Sequence, residues 1–328
     1  NSYVVNGGTL QNQGIELSMN FKIIDNIGTG NKKGFMWRFD PQLGQVFNKL
    51  LNNNVNSRNV LVDAASLTFR DFLNGVVPVN GKSVNTFYAY RFKGLDPNVG
   101  FPVFYGAEPE NKTALKEAYN KMTREEVFSM VMVEAGRREP VLQGAVNNSF
   151  TYGNWTLNVT FSYSFGNKIR LLQIASGNYG TFRPSSQQNL RKEFINRWRY
   201  PGDEKNTNIP AIQGADALQV DQYAWWLNEM DASKFFATDY YQMYDYSDLR
   251  VVKGDYLKLQ YVSLSYRFSN ELCRKLHCKG ALVHFSGTNL FTITNKALRG
   301  QDPTQSGSAP NINLSIRPVY ALNLNLSF

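Results

Sequence analysis

Only two cysteines and two histidines occur among the 328 residues of this sequence. Cys273 and Cys278 form one isolated pair, too few for a zinc site, and His277 beside Cys278 makes a cramped ligand set. A local disulfide or two free thiols remain as readings of the pair. His277 and His284 carry no Ser-His-Asp arrangement around them. The G-x-S-x-G, H-E-x-x-H and P-loop patterns are missing, and Gly28-Thr29-Gly30 with Gly34 misses the dinucleotide spacing. Asp203 and Glu204 are neighbours in sequence, whereas glycoside hydrolysis needs two carboxyl groups about 5–9 Å apart across a substrate. The reading is no enzyme, no metal and no cofactor.

Long apolar stretches are also missing. No run of eighteen exists, so transmembrane helices are excluded. Only 19% of residues are charged and 14% are aromatic, which excludes a disordered chain. The net charge is 35 − 26 = +9. Lys and Arg are spread along the chain, with no basic helix and no ribonucleoprotein motif, so no nucleic-acid partner is expected. Scattered surface charge is the plain reading, and contact with anionic lipid head groups is the second. A mean hydropathy of −0.38 matches a soluble protein, but a transmembrane barrel averages to the same value because its strands alternate apolar and polar residues. The opening Asn1-Ser2-Tyr3-Val4-Val5-Asn6 is neither an initiator Met nor a signal peptide. A barrel protein must be exported, so the sequence reads as a fragment.

What is present is alternation. Trp155, Leu157, Val159, Phe161, Tyr163 and Phe165 point one way, and Thr156, Asn158, Thr160, Ser162, Ser164 and Gly166 the other. That is period two over twelve residues, about twice an ordinary soluble strand. A tilted strand crosses a bilayer in roughly 9–11 residues. Aromatics at both ends match interfacial girdles. The last ten residues repeat the pattern, with Tyr320, Leu322, Leu324, Leu326 and Phe328 on one face. Other long alternating segments are Gly14–Ile24, Gly34–Phe47, Leu142–Tyr152, Tyr256–Phe268 and Ala281–Ile293. Gly34–Phe47 is interrupted by Pro41 and Gly44, and a strand proline implies an edge or a bulge.

Seven spanning strands follow, and their connections alternate in length. Asp25–Lys33, Gly153-Asn154 and Ser269–Gly280 are short; Asn48–Val141, Asn167–Asp255 and Thr294–Pro318 are long. Short turns on one side and long loops on the other mark an outer-membrane barrel, with the short turns periplasmic. The expected fold is all-β, an antiparallel transmembrane β-barrel. Within the first long loop, Val84–Phe92 and Phe101–Tyr105 flank a turn-rich linker and read as a hairpin above the membrane. Ala114–Tyr119 reads as a short helix, and Val127–Val133 as a short helix or strand.

Several strings resemble motifs of the SusC/RagA family of TonB-dependent importers, in the family's order. They are Asn12-Gln13-Gly14-Ile15-Glu16, Gly94-Leu95-Asp96-Pro97 with Gly100 and Pro102, and Pro140-Val141-Leu142-Gln143-Gly144 with the following Trp155 strand. Then come Arg197-Trp198 with Pro201-Gly202-Asp203-Glu204, Asp255-Tyr256-Leu257-Lys258-Leu259, Gly287-Thr288-Asn289-Leu290-Phe291, and Asp302-Pro303. Gln260 and Tyr261 depart from the family pattern. The resemblance covers nearly the whole chain. It implies that residues 1–328 are the C-terminal portion of a plugged barrel of about twenty-two strands, with the plug and TonB box upstream of Asn1. It further implies the cell outer membrane, a SusD-like lipoprotein lid, the TonB complex, and a glycan or peptide cargo, with glycan the commoner. The closing Tyr320, Leu322, Leu324, Leu326 and Phe328 resemble the signal read by the barrel assembly machinery.

The long stretch Asn167–Asp255 gathers Arg197, Trp198, Tyr200, Asp203, Glu204, Trp225 and Trp226. Aromatic faces beside polar groups suit sugars, peptides or a protein partner; most of these aromatics read as packing of a long loop, and for Trp225-Trp226 the choice is open. The leading functional reading is active import of an oligomeric nutrient. A passive porin and a soluble all-β binding or adhesion domain are the alternatives.

Overall fold

The structure is a computed structural model. It describes residues 9–26, 28, 33–52, 69–75, 79–174, 190–212, 222–230, 239–305, 307–309 and 316–328, without the side chains of 69, 70, 125, 228 and 229.

In chain order the strands are β1 (Thr9–Ser18), β2 (Phe21–Asn26), β3 (Phe35–Asn52), β4 (Thr86–Tyr90), β5 (Phe92–Leu95), β6 (Pro102–Phe104) and β7 (Met132–Arg137). They continue with β8 (Leu142–Tyr152), β9 (Trp155–Phe165), β10 (Lys168–Arg170), β11 (Val251–Lys253), β12 (Tyr256–Arg267), β13 (Gly280–Thr294) and β14 (Val319–Ser327). The helices are short: α1 (Phe69–Asn74), α2 (Lys112–Lys121), α3 (Arg124–Val131), α4 (Trp226–Glu229), α5 (Tyr240–Asp245) and α6 (Asn270–Lys275).

Eight strands form one antiparallel sheet, with β3, β8, β9, β12, β13 and β14 side by side and both β1 and β2 on the outer edge of β3. Because β1 pairs with Gln42–Asn52 and β2 with Phe35–Phe39, the eight fill seven wall positions. These are the seven expected segments. Pro41 sits inside this wall, opposite Val146 of β8, rather than on an edge. Its carbonyl accepts from the Met19 N–H at 3.1 Å. In an antiparallel ladder a residue's N–H and C=O point to the same neighbour, so the donor that proline lacks is missing on the β1/β2 side only. The ladder breaks there, between Ser18 and Phe21, and stays whole toward β8.

One face of the sheet is predominantly apolar. Trp155, Leu157, Val159 and Phe161 of β9 stand opposite Tyr152, Phe150, Asn148 and Val146 of β8, and opposite Tyr266, Leu264, Val262 and Leu259 of β12. In β12 the apolar positions change phase, and Gln260 is the extra residue that makes this workable. Asn289, at φ 55, sits in the matching irregularity of β13, and the Gln260 amide donates to its side-chain oxygen at 3.4 Å. Both bulges keep leucines and phenylalanines on one side. Gly144 is where Tyr163 crosses the same face to give its hydroxyl to the Gln42 carbonyl at 2.9 Å; a Cβ there would lie 2.1 Å from that carbonyl oxygen. The opposite face is polar: Asn158 donates to the Ser263 hydroxyl at 3.2 Å, and His284 lies 2.8 Å from the Ser265 hydroxyl.

From Trp155 to Phe165, and from Phe35 to Gln45 alongside, the wall climbs ten residue steps. At ~3.4 Å per step and a tilt of ~40° this is about 26 Å. Rings mark both limits, with Trp155 and Tyr266 at 4.6 Å at one and Tyr163 and Phe165 at 5.8 Å at the other.

The long connections pack into a second layer at one end of the sheet. Its two-stranded pieces differ from expectation: β5 and β6 do form the hairpin, but β4 pairs with β7. The Val84–Phe92 segment is split at Arg91: Tyr90 pairs with Met132 on one side and donates its N–H to the Tyr246 carbonyl at 3.1 Å on the other, and the chain then enters β5. The expected helix Ala114–Tyr119 lies in α2, and Val127–Val133, read as helix or strand, is divided between α3 and the start of β7. Thr123 and Glu126 make a reciprocal cap at the start of α3, and the chain then enters β7 directly. At the opposite end, α6 closes the β12–β13 turn. The Cys278 N–H donates to the Cys273 carbonyl at 3.0 Å and the His277 N–H to Arg274 at 3.2 Å, with His277 at φ 55. This C-cap places the two cysteines in contact. Both are buried, and both thiols are free.

Candidate functional site

The loop layer holds an aromatic core that includes Phe101, Phe104, Tyr119, Tyr241 and Trp225. Sequence reasoning missed its organiser, Arg170. This guanidinium is buried, donating to Ser308 O at 2.6 Å, Tyr88 O at 2.8 Å and Leu73 O at 3.2 Å. It also lies over the rings of Tyr246 at 4.9 Å and Phe87 at 5.3 Å. Three loop segments far apart in sequence are thereby tied to β10. Burial pulls its pKa down to about 10. Nothing in the local sequence marks Arg170, because all of its partners are backbone carbonyls or distant rings.

The residues singled out from sequence divide into two groups. Trp225 and Trp226 are both buried, 0% and 2% exposed, with rings 5.8 Å apart at 74°. The edge-to-face arrangement lets the adjacent tryptophans share one core. Trp198 is buried too. It covers Gly100, where a Cβ would fall 2.2 Å from the indole, and the Ala211 N–H donates to Gly100 O at 2.9 Å. Two of the sequence strings, around Gly94–Gly100 and Arg197–Glu204, are therefore a single packed unit.

Asp203 and Glu204 shape that unit rather than facing outward. Asp203 accepts from the N–H groups of Arg199 at 3.0 Å and Tyr200 at 3.1 Å. Glu204 accepts from the Gly202 N–H at 2.8 Å and the Trp198 indole at 3.4 Å. Backbone donors, its own N–H first, hold the Glu204 carboxyl below its ordinary range. Arg197 donates to Phe194 O at 3.0 Å. Tyr200, 72% exposed at the tip, is the one ring of the group presented to solvent. In the core of the layer, Tyr223 donates to Asp96 at 2.8 Å, and burial, then Asp96, push its phenol above 10.

At the rim, Lys258 and Asp302 form a buried ion pair at 4.0 Å, joining β12 to the segment after β13. Asp302 also accepts from the Thr304 N–H at 2.9 Å. No cluster of His, Cys, Asp and Glu able to hold a metal occurs among the described residues.

No family model matches the chain. It is 21% identical over 348 aligned residues to TonB-dependent receptor P3 of Formosa agariphila, covering 100% of the chain and 30% of the relative. Among solved structures it is similar to the RagAB peptide importer in its open-open state, with a TM-score of 0.65 at 17% identity over 98% of this chain and 29% of that one. The RagAB peptide transporter gives 0.65 at 18% identity, covering 98% and 30%. The chain thus spans about 30% of the length of these relatives. Its fold is that of part of a RagA-like antiparallel β-barrel.

Proposed function

We propose that the chain is the C-terminal portion of the barrel of a TonB-dependent active importer, which takes oligomeric nutrients across the outer membrane. The observation that carries this reading is an apolar face about 26 Å high joined to a loop layer with an aromatic core of its own. A simple pore needs the first and has no use for the second. In this account the loop layer stands outside the cell and the Tyr200 turn is the part of it that meets cargo or a SusD-like lipoprotein lid. Trp225 and Trp226 serve the layer's core, so they support contact indirectly. A glycan is the cargo implied by the family resemblance. A peptide is the second reading, favoured by the burial of the tryptophans that would stack on sugars and by the likeness to RagAB.

The test is energy-dependent uptake by the complete protein. Cells expressing it should accumulate labelled oligosaccharide or oligopeptide, and an uncoupler or loss of TonB should abolish accumulation. Uptake that survives both treatments supports a porin instead. Tyr200→Ala should weaken cargo uptake or lid co-purification with the barrel still inserted. Deleting Phe328 should lower the amount of barrel in the outer membrane, because the strand Tyr320–Phe328 is proposed as its assembly signal.

A further inference from the structure

We infer that the outward rim of β3 carries a site for a phosphate-bearing anionic lipid headgroup. This rests on the apolar face being the lipid side of the wall. A cavity of about 530 Å³ lies where β1 and β3 meet the loop layer. Its strand side is formed by Gln11, Gln13, Phe47, Asn48 and Lys49, of which all but Asn48 alternate onto one face. The register pairs Gln13 with Phe47 and Gln11 with Lys49, without a shift from the Leu17–Leu43 pair. Four of the five strand residues that line the cavity thus lie on the face that carries Leu17 and Leu43.

Its height is fixed by the neighbouring strands. Gln45 is level with Leu142 and Phe165, where the apolar band ends. Phe47 and Lys49 are the next two outward positions above it. The cavity thus begins where hydrocarbon gives way to head groups.

Its charge is positive. Lys49, Lys82, Arg137 and Lys168 line it against the single carboxylate of Glu134, leaving 4 − 1 = +3. Lys82 pairs with Glu134 at 2.6 Å. Lys49, Arg137 and Lys168 have no acidic partner among the described residues. The arrangement is held by the backbone as well. Gly81 and Lys82 continue the edge of β3 beyond β8, with Gly81 N donating to Leu50 O at 2.8 Å and Leu50 N to Lys82 O at 3.0 Å. Gly136, at φ 133, leaves the space that the Lys168 stem crosses; a Cβ there would be 2.4 Å from the Lys168 Cγ. Basic pockets at the membrane surface bind anionic head groups, and each added cation strengthens attraction.

The experiment uses the complete transporter in phosphatidylcholine nanodiscs. Native mass spectrometry then counts retained lipid after addition of diphosphoryl lipid A or phosphatidylglycerol. The variant Lys49→Gln/Arg137→Gln/Lys168→Gln should retain about tenfold less of either anionic lipid. The variant Lys121→Gln/Lys279→Gln/Lys296→Gln removes the same charge elsewhere and should retain as much as wild type. If the first variant fails to fold, Arg137→Gln and Lys168→Gln alone should each show a smaller loss. Equal retention by folded cavity variants and wild type overturns the site. Displacement of the lipid by millimolar inorganic phosphate also overturns it, because the cavity would then be a free-anion site. Failure of wild type to enter nanodiscs contradicts the membrane reading beneath it, a result distinct from either.

Discussion

The Trp37 indole N–H donates to the Asn148 side-chain oxygen at 3.2 Å, diagonally across β3 and β8 on the apolar face of the wall. Asn148 is a polar intruder among Phe39, Val146 and Phe150. The indole partly satisfies it where water is excluded, and the Trp37 ring stacks on Phe150 at 5.7 Å.

Trp37→Phe should keep the ring packing and strand the amide. We expect the barrel to lose about 1 kcal/mol, measured by urea-driven folding of the complete protein into lipid vesicles. Asn148→Val should remove most of the effect of Trp37→Phe when the two are combined. Additive losses would mean that the bond contributes nothing.

The wall was legible from sequence because each strand's partners impose only a two-residue period. Leu157, Phe161 and Leu324 report their face without knowledge of their neighbours. The Gln260–Asn289 bulges were not legible, since an inserted residue flips the phase and resembles a broken pattern. Pro41 was misplaced for a related reason: which neighbour loses a hydrogen bond depends on pairing, not on sequence. The loop layer was the least legible part. Gly100 under Trp198, and Arg170 under three carbonyls, are contacts between segments distant in the chain. The candidate site suffered accordingly: of the aromatic and charged residues gathered there, Tyr200 alone projects, while Trp225, Trp226, Asp203 and Glu204 build the scaffold.

Arg170→Met should loosen the loop layer and spare the wall. Three backbone carbonyls lose their donor, which at ~1 kcal/mol each or more is a local loss of about 3 kcal/mol. Limited proteolysis should cut the layer faster at unchanged barrel insertion. Arg170→Lys should rescue only part, because one ammonium cannot match a planar fork of donors. Full rescue by lysine would contradict the geometry.

The layer should also be alkali-sensitive. Burial raises the phenol pKa of Tyr223, Tyr240, Tyr241 and Tyr244 above their ordinary 10.0. The folded state thus holds these protons more tightly than the unfolded state. Their contribution is complete below about pH 10 and is lost as pH rises through the raised values. Absorbance at 295 nm should show this group ionising late and together, with loss of protease resistance in the layer. Smooth titration near pH 10 in the intact protein would contradict the burial.

Cys273 and Cys278 are held by a 3.0 Å backbone bond. One covalent step on one side and two on the other keep their Cα atoms within about 7 Å. Both thiols are free in the structure, and this spacing lets an oxidising compartment join them. Alkylation of unreduced protein should count no thiols, and two after reduction. Two before reduction would show that the turn keeps them apart.

The central claim is that the face carrying Leu157, Phe161 and Leu324 meets lipid. Spin labels placed singly at these positions, and at Asn158, Ser162 and Asn323, in the complete protein in bilayers test it directly. The account predicts high accessibility to oxygen and low accessibility to a polar nickel chelate at the first three. At the second three, oxygen accessibility should be low. Labels at Phe161 and Leu324 shielded from both reagents, as between two packed sheets, would contradict it.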